Sequence, residues 1–197
     1  MKIAVIDSGI HQGHPHVGAL AGTDHFAGVD ALDRLGHGTA VAAAIREKLP
    51  AAEIFAVKIF DRRLAASIEV LLEALQWCRE SGIEVVNLSL GTANPAHRDA
   101  LARAVRGSPV VVSAAAMLPG SLPDVVGVEA DPACPRDRFR CRDAVFLASP
   151  FPRPIPGVPP ERNLHGVSFA VANMTAFVAR ALQSCARDEL FTVLRKC

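Results

Sequence analysis

Lys2-Ile3-Ala4-Val5-Ile6-Asp7-Ser8-Gly9 is the stretch that decides the fold class. Four apolar residues in a row, Ile3 to Ile6, without polar alternation, fit a strand covered on both faces, as in a parallel sheet between two helical layers. The run stops at Asp7. In open α/β sheets the carboxyl ends of the strands are where sites are built, so Asp7 is either a working carboxylate or a turn cap. Similar runs return at Glu53–Phe60, Glu84–Gly91, Val110–Ala114 and Val125–Val128. Between them, Ile68, Leu71, Leu72, Leu75 and Cys78 repeat at helical spacing, which predicts a helix over 65–81 stopped by Gly82. A second helix is expected at 96–106. This alternation predicts an α/β fold: a doubly wound, mostly parallel sheet flanked by helices, with right-handed crossovers.

Bulk properties narrow the function. The 197 residues, half of them apolar, suit one domain over 1–197. A net charge of +1, from 21 basic and 20 acidic residues well interspersed, offers no footprint for nucleic acid or an anionic membrane. The apolar run Pro109–Pro119 is too short to span a bilayer. Lys2–Ile6 already reads as a strand, so no signal peptide is expected and a cytoplasmic protein is. The five cysteines (Cys78, Cys134, Cys141, Cys185, Cys197) are an odd number without metal-site spacing. Cys78 falls on an apolar helix face. Cys134 and Cys141 flank the charged loop Pro135–Arg140 and could pair if oxidised, which a reducing compartment disfavours. His11, His14 and His16 lie on a Gly/Pro loop with no carboxylate or cysteine at ligand spacing, so they read as structural. No metal or other cofactor is expected.

Two segments carry chemistry-bearing residues next to glycine turns. In Gly36-His37-Gly38-Thr39-Ala40-Val41-Ala42, small helix-formers follow a histidine set between glycines. His37 is thus either a base held at a helix N-terminus or a satisfied histidine at a tight turn. In Gly166-Val167-Ser168-Phe169-Ala170-Val171-Ala172, Ser168 opens an apolar helix running to about 184. It is either a nucleophile at a helix N-terminus or an ordinary capping serine. Before it, Pro150, Pro152, Pro154, Pro156, Pro159 and Pro160 impose an extended, stiff surface loop, a linker or a binding rim.

Read together, Asp7, His37 and Ser168 supply what acyl transfer to water requires: a hydroxyl, a base and a carboxylate to hold the base. Val5-Ile6-Asp7-Ser8-Gly9-Ile10 with His14-Pro15, Leu35–Ala42, Val86-Asn87-Leu88-Ser89-Leu90-Gly91 and Gly166-Val167-Ser168-Phe169-Ala170 resemble, in order, four motifs of the subtilisin-like serine proteases. The likeness spans residues 3 to 182. It implies the subtilisin-like fold, Ser168 as nucleophile, His37 as general acid–base and Asp7 as its orienter. It also implies that Ser89, Leu90 and Gly91, with Ser113 and Ala114 beside them, bind an extended polypeptide substrate by strand augmentation. Within that family the chain is similar to compact intracellular enzymes that remove leader peptides from a dedicated precursor. The proline loop and Arg162 are then leader contacts, and narrow specificity is expected.

One motif departs from the pattern. In Val112-Ser113-Ala114-Ala115-Ala116-Met117, Met117 stands where the family carries its oxyanion asparagine, and a thioether donates no hydrogen bond. Val167 replaces the usual threonine before the serine. In subtilisin, losing that asparagine costs about 10²–10³ in kcat. Two readings follow: a slow protease using the Ser168 N–H and another donor (Asn163, Ser113 or Ser121), or an inactive peptide-binding module. A small-molecule esterase with the same triad is a third reading of the chain as a whole.

Overall fold

The eight strands found among the described residues form one sheet of order β2-β3-β1-β4-β5-β6-β8-β7. The computed structural model describes residues 1–107 and 109–196; Cys197 lies outside them. The strands are β1 (Lys2–Asp7), β2 (Gly22–His25), β3 (Glu53–Lys58), β4 (Val85–Leu88), β5 (Val110–Ala114), β6 (Val126–Ala130), β7 (Phe139–Arg142) and β8 (Val145–Ala148). The helices are α1 (His37–Lys48), α2 (Ile68–Glu80), α3 (Arg98–Val105), α4 (Val167–Ala181) and α5 (Leu190–Leu194). Every strand pair is parallel except the β7–β8 hairpin. The predicted architecture is the observed one.

Two helical layers explain the unbroken apolar run of β1. Ile3 and Val5 pack with Val41 and Ile45 of α1 and Met174 and Val178 of α4, while Ala4 and Ile6 pack with Leu71 and Leu75 of α2 and Leu101 of α3. Strand side chains alternate between faces, so Asp7 continues the Ile3–Val5 series and points to the α1/α4 side. α4 is buried along its length from Phe169 to Ala179, which is why its sequence is apolar all round. Both α1 and α4 begin at the carboxyl edge of the sheet, where Asp7 ends β1.

The misses lie at the sheet edges and element ends. Gly22-Thr23-Asp24-His25 reads as broken apolar pieces, yet it pairs parallel with β3 as an edge strand. Phe139 and Arg140, assigned above to a charged loop, begin β7, whose alternation turns Phe139 and Cys141 inward and the arginines outward. The hairpin turns at Asp143 and Ala144, both at positive φ, the geometry of the tightest antiparallel loops. α4 stops at Ala181, and α3 starts at Arg98 after a 3-10 turn at Pro95–His97. Cys134 and Cys141 are both free thiols. Among the described residues no helix is long and apolar enough to cross a membrane.

Candidate active site

At the end of β1 the Asp7 carboxylate is fully buried, and its two oxygens lie 2.8 and 2.9 Å from His37 Nδ1. A carboxylate only accepts, so Nδ1 carries the proton and the neutral ring keeps its Nε2 lone pair for a base's work. Asp7 Oδ1 also accepts the Ser8 N–H at 2.7 Å, which fixes the carboxylate's own rotation. Burial opposes charge on His37 most strongly. The Asp7 hydrogen bond and the charges of Asp7 and Asp33 together outweigh it and raise the imidazole above its ordinary 6.5.

The flanking glycines have a steric cause. Gly36, the residue before α1, sits at φ 79°, a left-handed conformation. At Gly38 an added Cβ would stand 2.2 Å from the Gly9 carbonyl oxygen and 3.2 Å from Asp7 Cβ, so only glycine lets the helix start against the end of β1. That close approach brings the imidazole onto the carboxylate.

Ser168 occupies the first turn of α4, among backbone N–H groups that no helical carbonyl satisfies. Its neighbour Phe169 lies with its ring centroid 5.8 Å from that of His37, so the start of α4 meets the imidazole. The Ser168 hydroxyl donates to the Ser89 carbonyl at 3.4 Å, a long contact. A Ser168–His37 hydrogen bond is absent among the described residues; such bonds often form only once substrate is bound.

A chain of polar groups runs from the core to this serine. The Thr175 hydroxyl of α4 shares its one proton between Asn87 Oδ1 at 3.0 Å and the Val171 carbonyl at 2.8 Å, Asn87 Nδ2 donates to Ser89 Oγ at 3.0 Å, and Ser89 Oγ donates to the Ser168 carbonyl at 2.9 Å. Thr175 and Asn87 are fully buried. Ser89, expected to meet substrate, has its hydroxyl engaged in holding Ser168. Sequence reading missed Asn87 and Thr175; a polar residue inside an apolar strand, Asn87 in Val85–Leu88, was the available signal.

The other expected site residues are placed as follows. Ser113 Oγ donates to the Leu90 carbonyl at 3.1 Å, and Ala114 is buried beside it. Backbone bonds of 2.9 and 3.0 Å join Thr92 and Leu118, and a Cβ at Gly91 would lie 2.8 Å from Met117 Cβ. Met117 therefore packs against the segment that leaves β4. The Asn163 amide donates to the Arg153 carbonyl at 3.2 Å, so it is tied to the proline loop. With His11, His14, His16 and Arg153 it lines a cavity of about 310 Å³. The histidines stack edge to face, 6.4 and 5.3 Å between centroids. No metal-binding group of three or more His, Cys, Asp or Glu occurs among the described residues.

Sequence reading also passed over Asp33. Its carboxylate accepts the Ser8 hydroxyl (2.8 Å), the N–H groups of Leu35 (2.9 Å), Gly36 (2.8 Å) and Thr39 (2.9 Å), and the Thr39 hydroxyl (2.6 Å). Helix starts are sought by a polar residue at the cap itself, and here the cap is Gly36. Burial works against the Asp33 charge, but these hydrogen bonds win and hold its carboxyl below the ordinary 3.8.

Residues 1–117 match the Peptidase S8 model, the subtilase family. The chain belongs to that family. The match carries the Asp7 and His37 motifs and ends at Met117, before Ser168. Subtilisin Savinase of Lederbergia lenta is 34% identical over 105 residues, 48% of this chain and 39% of its own length. Subtilisin E of Bacillus subtilis (strain 168) is 32% identical over 134 residues, 61% of this chain and 35% of its own. This subtilase thus spans under half the length of those relatives. A cold-adapted subtilisin-like serine proteinase shares the fold, with TM-score 0.77 and 19% identity over 99% of this chain and 81% of its own. The prenylagaramide maturation protease PagA superposes with TM-score 0.70 and 26% identity over 93% of this chain and 75% of its own.

Proposed function

We propose that this subtilase is a serine endopeptidase with Ser168 as nucleophile, His37 as general acid–base and Asp7 as the group that orients it. The observation that carries this reading is the buried Asp7 carboxylate on His37 Nδ1, with Phe169, next to Ser168, against the same ring. His37 Nε2 takes the Ser168 proton as Oγ adds to the peptide carbonyl carbon. The imidazolium then protonates the departing amine, and water repeats the cycle on the acyl-enzyme. The Ser168 N–H, in the first turn of α4, is one donor to the oxyanion.

Its substrate, in this reading, is a single dedicated precursor whose leader peptide it removes inside the cell. PagA, a maturation protease of related fold, supports that class. So does Met117, which by removing an oxyanion donor favours a low-turnover enzyme over a general one. In this reading the reaction is of the kind that quinohemoprotein amine dehydrogenase biogenesis needs, in which a small subunit's leader is cut from its precursor. The proline loop, exposed at Ile155 and Val158, and Arg162 would meet the leader. A second reading, a peptide-binding module without turnover, is favoured by Met117 alone.

A fluorophosphonate probe separates the two. Labelling of the folded protein, abolished by Ser168→Ala, is expected for the protease; no labelling alongside tight peptide binding establishes the module. Rapid, indiscriminate digestion of casein would rule out the narrow specificity.

A further inference from the structure

We infer that Asp33 is a second carboxylate of this site: a positioning residue that clamps the backbone around His37 onto the end of β1 and places its charge beside the imidazole. The inference rests on the protease reading for its meaning, though not for its geometry.

The residues flanking His37 are all tied to this one side chain. Asp33 Oδ1 takes the N–H groups of Leu35 and Gly36 on the N-terminal side, and Oδ2 takes the N–H and hydroxyl of Thr39 on the other. Gly38 is reached through Ser8, whose Oγ donates to Asp33 Oδ1 at 2.8 Å and accepts the Gly38 N–H at 3.0 Å. Ser8 is the next residue after Asp7 and is fully buried. The carboxylate therefore stitches the end of β1, which carries the orienting group, to the first turn of α1, which carries the base. Thr39 closes the net by accepting the His11 N–H at 2.9 Å.

Only an ionised carboxylate satisfies this pattern. Five donors converge on two oxygens, and an asparagine would turn an NH₂ toward either the Thr39 N–H or those of Leu35 and Gly36, donor against donor. α1 has no side-chain cap at Gly36, so Asp33 does that work from three residues upstream and adds a negative charge at the helix N-terminus. The charged groups acting on His37 are Asp7 from β1 and Asp33 from this loop, while α4 offers the apolar Phe169.

The test compares wild type, Asp33→Asn and Ser8→Ala, each first checked for cooperative thermal unfolding. The readouts are the His37 imidazole midpoint by NMR titration, assigned with His37→Ala, and the rate of fluorophosphonate labelling. Asp33→Asn is expected to lower the imidazole midpoint, because it removes one of the two negative charges that favour the imidazolium. It should also slow labelling by about 10- to 100-fold through misplacement of the base. Ser8→Ala keeps the carboxylate and its bonds to residues 35, 36 and 39, so it should fold even if Asp33→Asn does not. It is expected to slow labelling by about threefold and leave the midpoint unmoved. An unchanged midpoint in folded Asp33→Asn, or wild-type labelling by Ser8→Ala, overturns the inference. Failure of the protease reading looks different: wild type would not label at all, while the midpoint comparison would still be readable.

Discussion

The polar chain beneath Ser168 permits a stringent test through Thr175→Val, which removes one hydroxyl and keeps the side-chain shape. Asn87 Oδ1 and Thr175 are fully buried, and no water-facing side is open to the carbonyl once the hydroxyl has gone. The loss is then a hydrogen bond plus a stranded acceptor, about 1–3 kcal/mol. Thr175 also donates to the Val171 carbonyl at 2.8 Å, sharing its one proton, but that carbonyl sits inside α4 and keeps a helical donor when the hydroxyl is lost. For a domain of this size, about 2 kcal/mol lowers Tm by about 4–8 °C. Asn87→Leu removes the same bond and also frees Ser89 Oγ, the group that donates to the Ser168 carbonyl. The two substitutions should therefore be non-additive: the double variant should be more stable than the sum predicts by about 1 kcal/mol. Urea unfolding of the wild type, both single variants and the double variant measures this directly. A Tm unchanged by Thr175→Val, or strict additivity in the cycle, refutes the reasoning that these groups act as one buried chain.

Four further outcomes follow from the site and its supports. Because His37 is raised above 6.5 and, in the proposed role, must be neutral to act as a base, labelling should be slow in mild acid and rise through a midpoint above 6.5; a pH–rate profile with its acid limb below 6.5 contradicts the Asp7 pairing. The stability signs are opposite for the two groups. The raised His37 contributes stability that is full below 6.5 and lost as pH rises through its folded value, whereas Asp33, held below 3.8, contributes stability lost as pH falls through its folded value. Met117→Asn, which restores a donor, should raise the labelling rate by about tenfold or more; no change would mean that another group already meets the oxyanion. Lys58, fully buried, places its ammonium 2.8 Å from both Asp61 and the Leu32 carbonyl, so Lys58→Met should cost about 1–3 kcal/mol in thermal unfolding and slow labelling by loosening the segment that carries Asp33.

How much was legible in the sequence depended on burial. Ile3–Ile6 declared a two-sided strand because both faces meet helices, and the glycines about His37 declared a tight start because one of them touches the Gly9 carbonyl oxygen. Edge strands were silent for the opposite reason. Gly22–His25 is exposed at alternate residues, and Phe139–Arg142 hides an alternating pattern inside a run of arginines that reads as loop. Asp7, His37 and Ser168 were legible as types beside glycine turns. The groups that hold them were not, because Asp33 caps α1 from outside the cap position and Thr175 meets Asn87 across 88 residues of sequence. Pairings of that span are set by packing, and no local pattern encodes them.

The parity of β1 explains how Asp7 and His37, 30 residues apart, meet at the edge of the sheet where α4 also begins. Ile3 and Val5 face α1 and α4, so Asp7 must face them too, and both helices begin at that same edge. Asn87 follows Val85 by the same rule and meets α4 through Thr175. The apolar alternation that selects which layer each strand residue joins therefore also aims the carboxylate and its supporting amide. A slip of one residue in β1 would bury Ile6 against α1 and turn Asp7 toward α2 and α3, away from the imidazole. The core and the site are specified by one register, paired residue by residue from Lys2↔Glu53 to Asp7↔Lys58. Substitutions that weaken the first strand's packing should thus reach the imidazole before they unfold the chain.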